Sequence, residues 1–315
     1  MLRRLNPLAF LLVNRPELRP LAVGEIIDAA IKVVSSNARV LFTIAAMIFA
    51  PLGILQLMAY TAFGAGDIAS LVNTLAVDST ITDEQFDLFV DSAVQLLILG
   101  LALAVLAGVG TVLAQGATVK AVADVYQGSV PEWQESIRFG FRRFFAILGA
   151  VLMVFIGSTF GLIFCLVPGV WLYISWSVTV PALVVEHLGA FEAIQRSYRL
   201  VRQRFWPVLG VVLLSVLLYG TVSYLFSLAG SLFTFLGDET SVGIPVAASV
   251  ISSTLSSIVV QPFIAAVLIV LYFDLRVRAE GYDLRVMATE LGDGTPPPPP
   301  TSSPDDPFGL GSPGT

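Results

Sequence analysis

At 315 residues, 56% hydrophobic and only 13% charged, with a mean hydropathy of +0.85, the chain carries about half the charge of a soluble domain and would expose large apolar patches in water. A net charge of -6 argues against a nucleic-acid partner. A single cysteine (Cys165) and a single histidine (His187) exclude an internal disulfide, a thiolate metal site and a histidine cluster, and no cofactor is expected.

The first segment, 1–20, opens with Met1-Leu2-Arg3-Arg4 and a short apolar stretch from Leu8 to Val13, which mimics a signal peptide. The stretch is short, Pro7 precedes it, no small-x-small site follows, and Arg15, Glu17 and Arg19 come next, so cleavage is not expected. From 21 to 290 the chain reads as an all-α polytopic membrane domain. A span needs about 20 apolar residues, and six stretches qualify: 40–63, 92–115, 145–166, 169–186, 206–232 and 244–272. None contains Lys or Arg, and none contains a carboxylate before its last residue. Leu166-Val167-Pro168-Gly169 is the expected turn of a tight hairpin between the third and fourth spans. The tail, 291–315, is rich in Pro and Gly and reads as disordered, with Pro296–Pro300 near its start.

Between the spans, charge is fully segregated. All 17 basic residues lie on one side: Arg3 to Arg39 before the first span, Lys120 to Arg143 between the second and third, Arg196 to Arg204 between the fourth and fifth, and Arg276 to Arg285 after the sixth. The other side carries Asp67, Asp78, Asp83, Glu84, Asp87, Asp91, Asp238 and Glu239. The positive-inside rule then places the basic side and both termini in the cytoplasm of a multi-pass inner (plasma) membrane protein. The acidic loop, about 64–91, has Thr82-x-x-Gln85 as a helix start and lacks the turn glycine of a calcium loop; a solvated face suffices for it.

A unit recurs. Residues 128–149 laid over 189–210 match at Gly128/Gly189, Gln134/Gln195, Ser136/Ser197, Arg138/Arg199, Arg143/Arg204, Phe144/Phe205, Leu148/Leu209 and Gly149/Gly210, 8 of 22 positions. A weaker copy puts Glu25 on Glu192 and Lys32 on Arg199. Each unit is an amphipathic helix followed by a span out and a span back, so the copies are parallel and suggest a pseudo-threefold ring of helix pairs. In the first helix Val23, Ile27, Ile31 and Val34 make the apolar face. In the second, Ser129-x-x-Glu132 forms a capping-box pattern with Pro131 in the first turn, and Trp133, Ile137, Phe141 and Phe144 share a face. In the third, Phe191, Ile194, Tyr198, Val201 and Phe205 do so.

Two sets of residues are candidates for function. Trp133, Arg138, Arg142, Arg143, Arg196, Arg199, Arg202 and Arg204 put cations beside aromatic side chains at the membrane surface, where they serve as topology anchors or as contacts to anionic lipid headgroups or membrane-protein partners. Ser249, Ser252, Ser253, Ser256 and Gln261, ahead of Pro262, form a polar path along the sixth span, or a packing face of small residues like Gly100/Ala104/Gly108, Gly157/Gly161 and Gly220/Ser223/Ser227. No ionisable residue lies in mid-membrane, as coupled transport usually needs. No base accompanies the intramembrane hydroxyls, so no catalytic residue is assigned.

The runs Pro181-Ala-Leu-Val-Val-Glu186, Gly189-Ala-Phe-Glu-Ala-Ile-Gln-Arg-Ser-Tyr198, Phe205-Trp206, Val167-Pro-Gly-Val-Trp171 and Asp274-Leu-Arg-Val-Arg-x-Glu-Gly-Tyr-Asp-Leu284 resemble a bacterial family named after the membrane domain of glycerophosphoryl diester phosphodiesterases. The resemblance spans roughly 20–290. In bifunctional members that domain precedes a separate metal-dependent catalytic barrel, which one histidine could not supply, so the hydrolytic activity is not carried over. What the resemblance implies is a membrane module working near envelope or glycerophospholipid metabolism; the lack of catalytic residues and the basic, aromatic helices favour a non-enzymatic module that scaffolds or regulates partners there. A transporter or lipid translocator using the span-six path is the alternative.

Overall fold

The structure, a computed structural model, describes residues 21–63, 83–236 and 243–280, and every regular element among them is helical. In chain order these are α1 (Val23–Ser36), α2 (Ala38–Phe63), α3 (Asp83–Tyr126), α4 (Trp133–Arg142), α5 (Phe144–Phe164), α6 (Leu166–Ser175), α7 (Thr179–Glu186), α8 (Ala190–Val201), a 3-10 turn (Arg202–Arg204), α9 (Phe205–Leu236) and α10 (Gly243–Glu280). Six stretches are long and apolar enough to cross a membrane, and the chain is a multi-pass membrane protein. The N-terminal segment, Thr82 and most of the acidic loop, and the Pro-rich tail lie outside the described residues.

The repeat shows in the helix boundaries. The span helices α2, α5 and α9 start at Ala38, Phe144 and Phe205, which are equivalent positions of the three copies. Each start follows a break at the same place: a turn at Asn37, a turn at Arg143, and the 3-10 turn ending at Arg204. Upstream of each break one small residue is fully buried: Ala30, Ser136 and Ser197. The first and third amphipathic helices also start alike. Glu25 accepts the Ala22 N–H at 2.7 Å, and Glu192 accepts the Gly189 N–H at 3.1 Å, each satisfying a free donor at a helix start.

The copies close into a ring. Each amphipathic helix packs on the return span of the copy before it: α4 on α3, α8 on α7, and α1 on α10. The last contact joins the end of the chain to its beginning. Within each copy the outward and return spans pair as α2 with α3, α5 with α6, and α9 with α10. The core sits at the basic end, where Ala30, Leu41, Ala117, Val122, Ile147, Leu183, Val201, Val211 and Tyr272 form one buried cluster drawn from every copy. Towards the far end, large apolar side chains such as Leu97, Leu101, Phe155, Phe164 and Leu225 are exposed and suit a hydrocarbon solvent.

Several expectations need correcting. The hairpin between the third and fourth spans turns at Cys165 alone, in extended backbone, and Leu166–Gly169 forms the first turn of α6. Pro168 tolerates that position because amides in a first helical turn have no intrahelical acceptor. The fourth span is two helices. Pro181 has no N–H and its ring clashes with a carbonyl four residues earlier, so the helix stops at Trp176–Val178 and restarts with Pro181 in the first turn of α7. The Ser129/Glu132 capping box does not form, since α4 starts at Trp133 with no side-chain cap. Gly100 and Gly108 face open space rather than a helix. α10 runs unbroken from Gly243 to Glu280, with Pro262 inside it, among α2, α3 and α9.

Gly161 and Gly169, by contrast, set the α5–α6 distance: a Cβ on Gly161 would lie 2.8 Å from the Gly169 Cα. Backbone cannot yield as a flexible side chain would. Gly161→Ala is therefore expected to lower stability by roughly 1–3 kcal/mol, whereas Gly108→Ala, which meets nothing, should be neutral or slightly stabilising. Thermal denaturation of both variants in detergent separates them; equal melting temperatures would remove the close approach.

Candidate functional site

The basic end is tied together by charges that the sequence displays only as a topology signal. Tyr272 and Arg276 lie on α10, Glu280 ends that helix, Glu186 ends α7, and Arg196 sits midway along α8. Arg196 Nε donates to both Glu186 oxygens at 2.9 and 3.0 Å, and its Nη2 meets Glu280. Tyr272 Oη donates to Glu186 Oε1 at 2.6 Å, and Arg276 Nε lies 3.4 Å from Glu280. These ionic side chains retain 15–23% of their exposure, so the network is screened but not solvated.

Three further ties hold the basic end. Asp274, 7% exposed, accepts the Leu21 N–H at 2.7 Å, and Arg278 donates to the Leu21 carbonyl at 2.8 Å while pairing with Asp274. That clamp holds the entry to α1 on the end of α10. Arg143, in the break before α5, donates to the carbonyls of His187 and Leu188 at 3.3 and 3.5 Å. His187 takes a left-handed conformation there (φ 55°), with its ring 6.2 Å from that of Phe139. Lys120 pairs with Asp124 on α3 and lies over the Phe139 ring of α4.

The arginines expected at the membrane surface thus divide. Arg143 and Arg196 have protein partners. Arg138, Arg142, Arg199, Arg202 and Arg204 are exposed, and none of them pairs with a described residue. Aromatic side chains stand beside them: Trp133, Phe141, Phe145, Phe191 and Trp206 are all exposed. α4 docks through its small residues Ser136 and Gly140, and α8 through Ala193 and Ser197 together with Ile194, Leu200 and Val201, while Phe141 and Phe191 turn outward instead of packing on the bundle. A bulkier inward face would hold α4 off α3, because a Cβ on Gly140 would already lie 3.1 Å from the Leu113 carbonyl. Lys32 is also exposed; its hydrogen bond to Asp28 one turn earlier holds the ammonium above its usual pKa.

Four of the five span-six residues come together in a groove of about 350 Å³ between α9 and α10. Ser249, Ser252, Ser253 and Ser256 line it with Ser257, and Tyr219, Ser223 and Ser227 face them. It runs over just over three turns of each helix, roughly 18 Å. Ser249, Ser253 and Ser257 each donate to a carbonyl of their own helix, and Ser256 donates to Ser223 Oγ at 3.0 Å. Those four hydroxyl protons are spent, and their oxygens keep lone pairs to offer to the groove. Gln261 lies outside the lining, and its Nε2 is buried with no protein partner. One turn beyond the groove, the buried core begins at Val260 and Ala265.

The network makes a quantitative expectation. Arg196→Gln leaves Glu186 and Glu280 with Arg276 alone as their shared cation, at 3.8 and 3.4 Å. For a half-screened cluster the cost is about 2 kcal/mol, between that of a surface pair and a buried one. Arg142→Gln, on an exposed side chain, should change little. Chemical denaturation in detergent checks both, and adding Glu280→Gln to Arg196→Gln should recover part of the loss.

No curated protein and no solved structure matches the chain. A family model does match, over residues 147–287, which covers α5 to α10 and contains every motif quoted above for the resemblance. The first 146 residues lie outside the match, although the ring places an equivalent copy there. That family is the membrane domain of glycerophosphoryl diester phosphodiesterase, and residues 147–287 correspond to its membrane-embedded part, not to a catalytic domain.

Proposed function

We propose that the chain is a non-enzymatic membrane module that holds or regulates partner proteins at its basic, cytoplasmic face, in the service of glycerophospholipid or envelope metabolism. The observation that supports this most is the display at that face. Two of the amphipathic helices, α4 and α8, bury small residues against the bundle and leave arginines and aromatic rings outward, and those outward arginines pair with no described residue. The setting is supported by the match to a membrane domain named for an enzyme of glycerophosphodiesters. Site-specific photo-crosslinking in native membranes tests it. A photoreactive residue at Phe141 or Phe191 should give a reproducible polypeptide adduct, and one at Leu97, exposed on the far half of α3, should give lipid adducts only. Lipid adducts alone at all three positions would end the scaffold reading.

The groove favours a second reading, a lipid translocator. Against it stands the packed layer between the groove and the basic end, which leaves a polar headgroup no hydrated route onward. Vesicles reconstituted with the protein should scramble a fluorescent headgroup-labelled lipid no faster than protein-free vesicles. Scrambling that Ser253→Leu abolished would put translocation first.

A further inference from the structure

We infer that Lys32, Arg138 and Arg199 mark three equivalent sites for the phosphate of an anionic phospholipid, one per copy, in the leaflet at the basic end. The equivalence is geometric. Each cation follows the buried anchor of its helix, Ala30, Ser136 or Ser197, by two residues. Two residues are 200° of helical rotation, so a helix that buries the anchor must present the cation on its outward face. All three are exposed.

Depth is set by the residue seven positions further on, the second of the outward span in each copy: Arg39, Phe145 and Trp206. Phe145 is 83% exposed and Trp206 77%, at the first turn of helices that then enter hydrocarbon. An exposed aromatic at that point sits at headgroup level, and a helix joined to it by a one- to three-residue break keeps its cation near the phosphates. Arg138 and Arg199 pair with no described residue, so both guanidinium forks remain open to two phosphate oxygens. The first copy is weaker on three counts. Lys32 is a point charge, it already binds Asp28 at 2.7 Å, and its span begins with Arg39 instead of an aromatic.

A diffuse basic surface would attract anionic lipid without distinguishing one arginine from another. Arg142 supplies the comparison. It is as exposed as Arg138, but its counterparts in the other copies are Ser36 and Gln203. The protein is purified from nanodiscs of equimolar phosphatidylglycerol and phosphatidylcholine, and retained lipids are counted by native mass spectrometry. The wild type should hold two phosphatidylglycerols firmly and a third less so. Arg138→Gln and Arg199→Gln should each lose one, with retention falling roughly fivefold per site. Lys32→Gln should remove only the weak third, and Arg142→Gln should leave the count intact. Equal losses from Arg142→Gln and Arg138→Gln, or equal retention of the zwitterionic lipid, would overturn the inference. Melting temperatures should be unchanged throughout, because none of the altered arginines supports another side chain.

Discussion

A guanidinium at the bilayer centre costs roughly 2.5–3.5 kcal/mol even on the mildest scale, and this one penalty organises the molecule. Six apolar helices cannot carry charges through hydrocarbon, so every cation among the described residues collects at one end. That end would then repel itself unless carboxylates were brought to it. The structure recruits them from the last turns of the return spans: Asp124 on α3, Glu186 on α7, and Asp274 and Glu280 on α10. Two of them, Glu186 and Asp274, are placed where a neighbouring copy reaches them. The device that orients the protein in the membrane therefore also joins its three copies.

The same penalty explains the uneven packing along the spans. At the basic end the chain can use salt bridges, backbone clamps and a mixed core, because ion pairs near the interface remain partly solvated. Deeper in the membrane only small residues, hydroxyls and shape are available. There Gly161 meets Gly169, Gly53 meets Thr254 on α10, and Ser223 meets Ser256. Where small residues meet no partner helix, as at Gly100 on the far half of α3, the neighbouring large side chains face outward into lipid. Stability is concentrated in one layer, and the far half is held mostly as helix pairs.

Much of this was legible in the residues. Span number follows from hydropathy alone, and the copies from eight matched positions. The structure extends those matches to shared helix starts, and Glu25 proves equivalent to Glu192 in binding its own helix start. Other features were hidden for physical reasons. Apolar aromatics on α4 suggest an inward face in water, but next to a membrane outward is equally apolar, so periodicity could not say that Phe141 faces away while Ser136 and Gly140 dock. Pro-Gly suggests a turn, yet Pro168 serves equally well in a first helical turn. The network around Glu186 was the largest omission. Its trace was present in the spacing of Asp274 with Arg278 and Arg276 with Glu280, four residues apart, but the partners on α7 and α8 are distant in sequence and nothing local announces them.

The second copy is the exception that shows what the ring requires. Its return path is broken at Trp176–Val178, and its hairpin turns on one residue. Both departures lie between the points that the ring uses: Phe144 still starts the span in register, and Glu186 still ends the return where Tyr272 and Arg196 meet it. Trp176 fills the space over Gly157 that the break opens. The copies are thus constrained at the basic end and free elsewhere. A polar groove can form in the far half between α9 and α10 without disturbing closure, and a change in that half need not reach the charged end unless it moves α10, the one helix that lines the groove and also holds both Leu21 and Glu186.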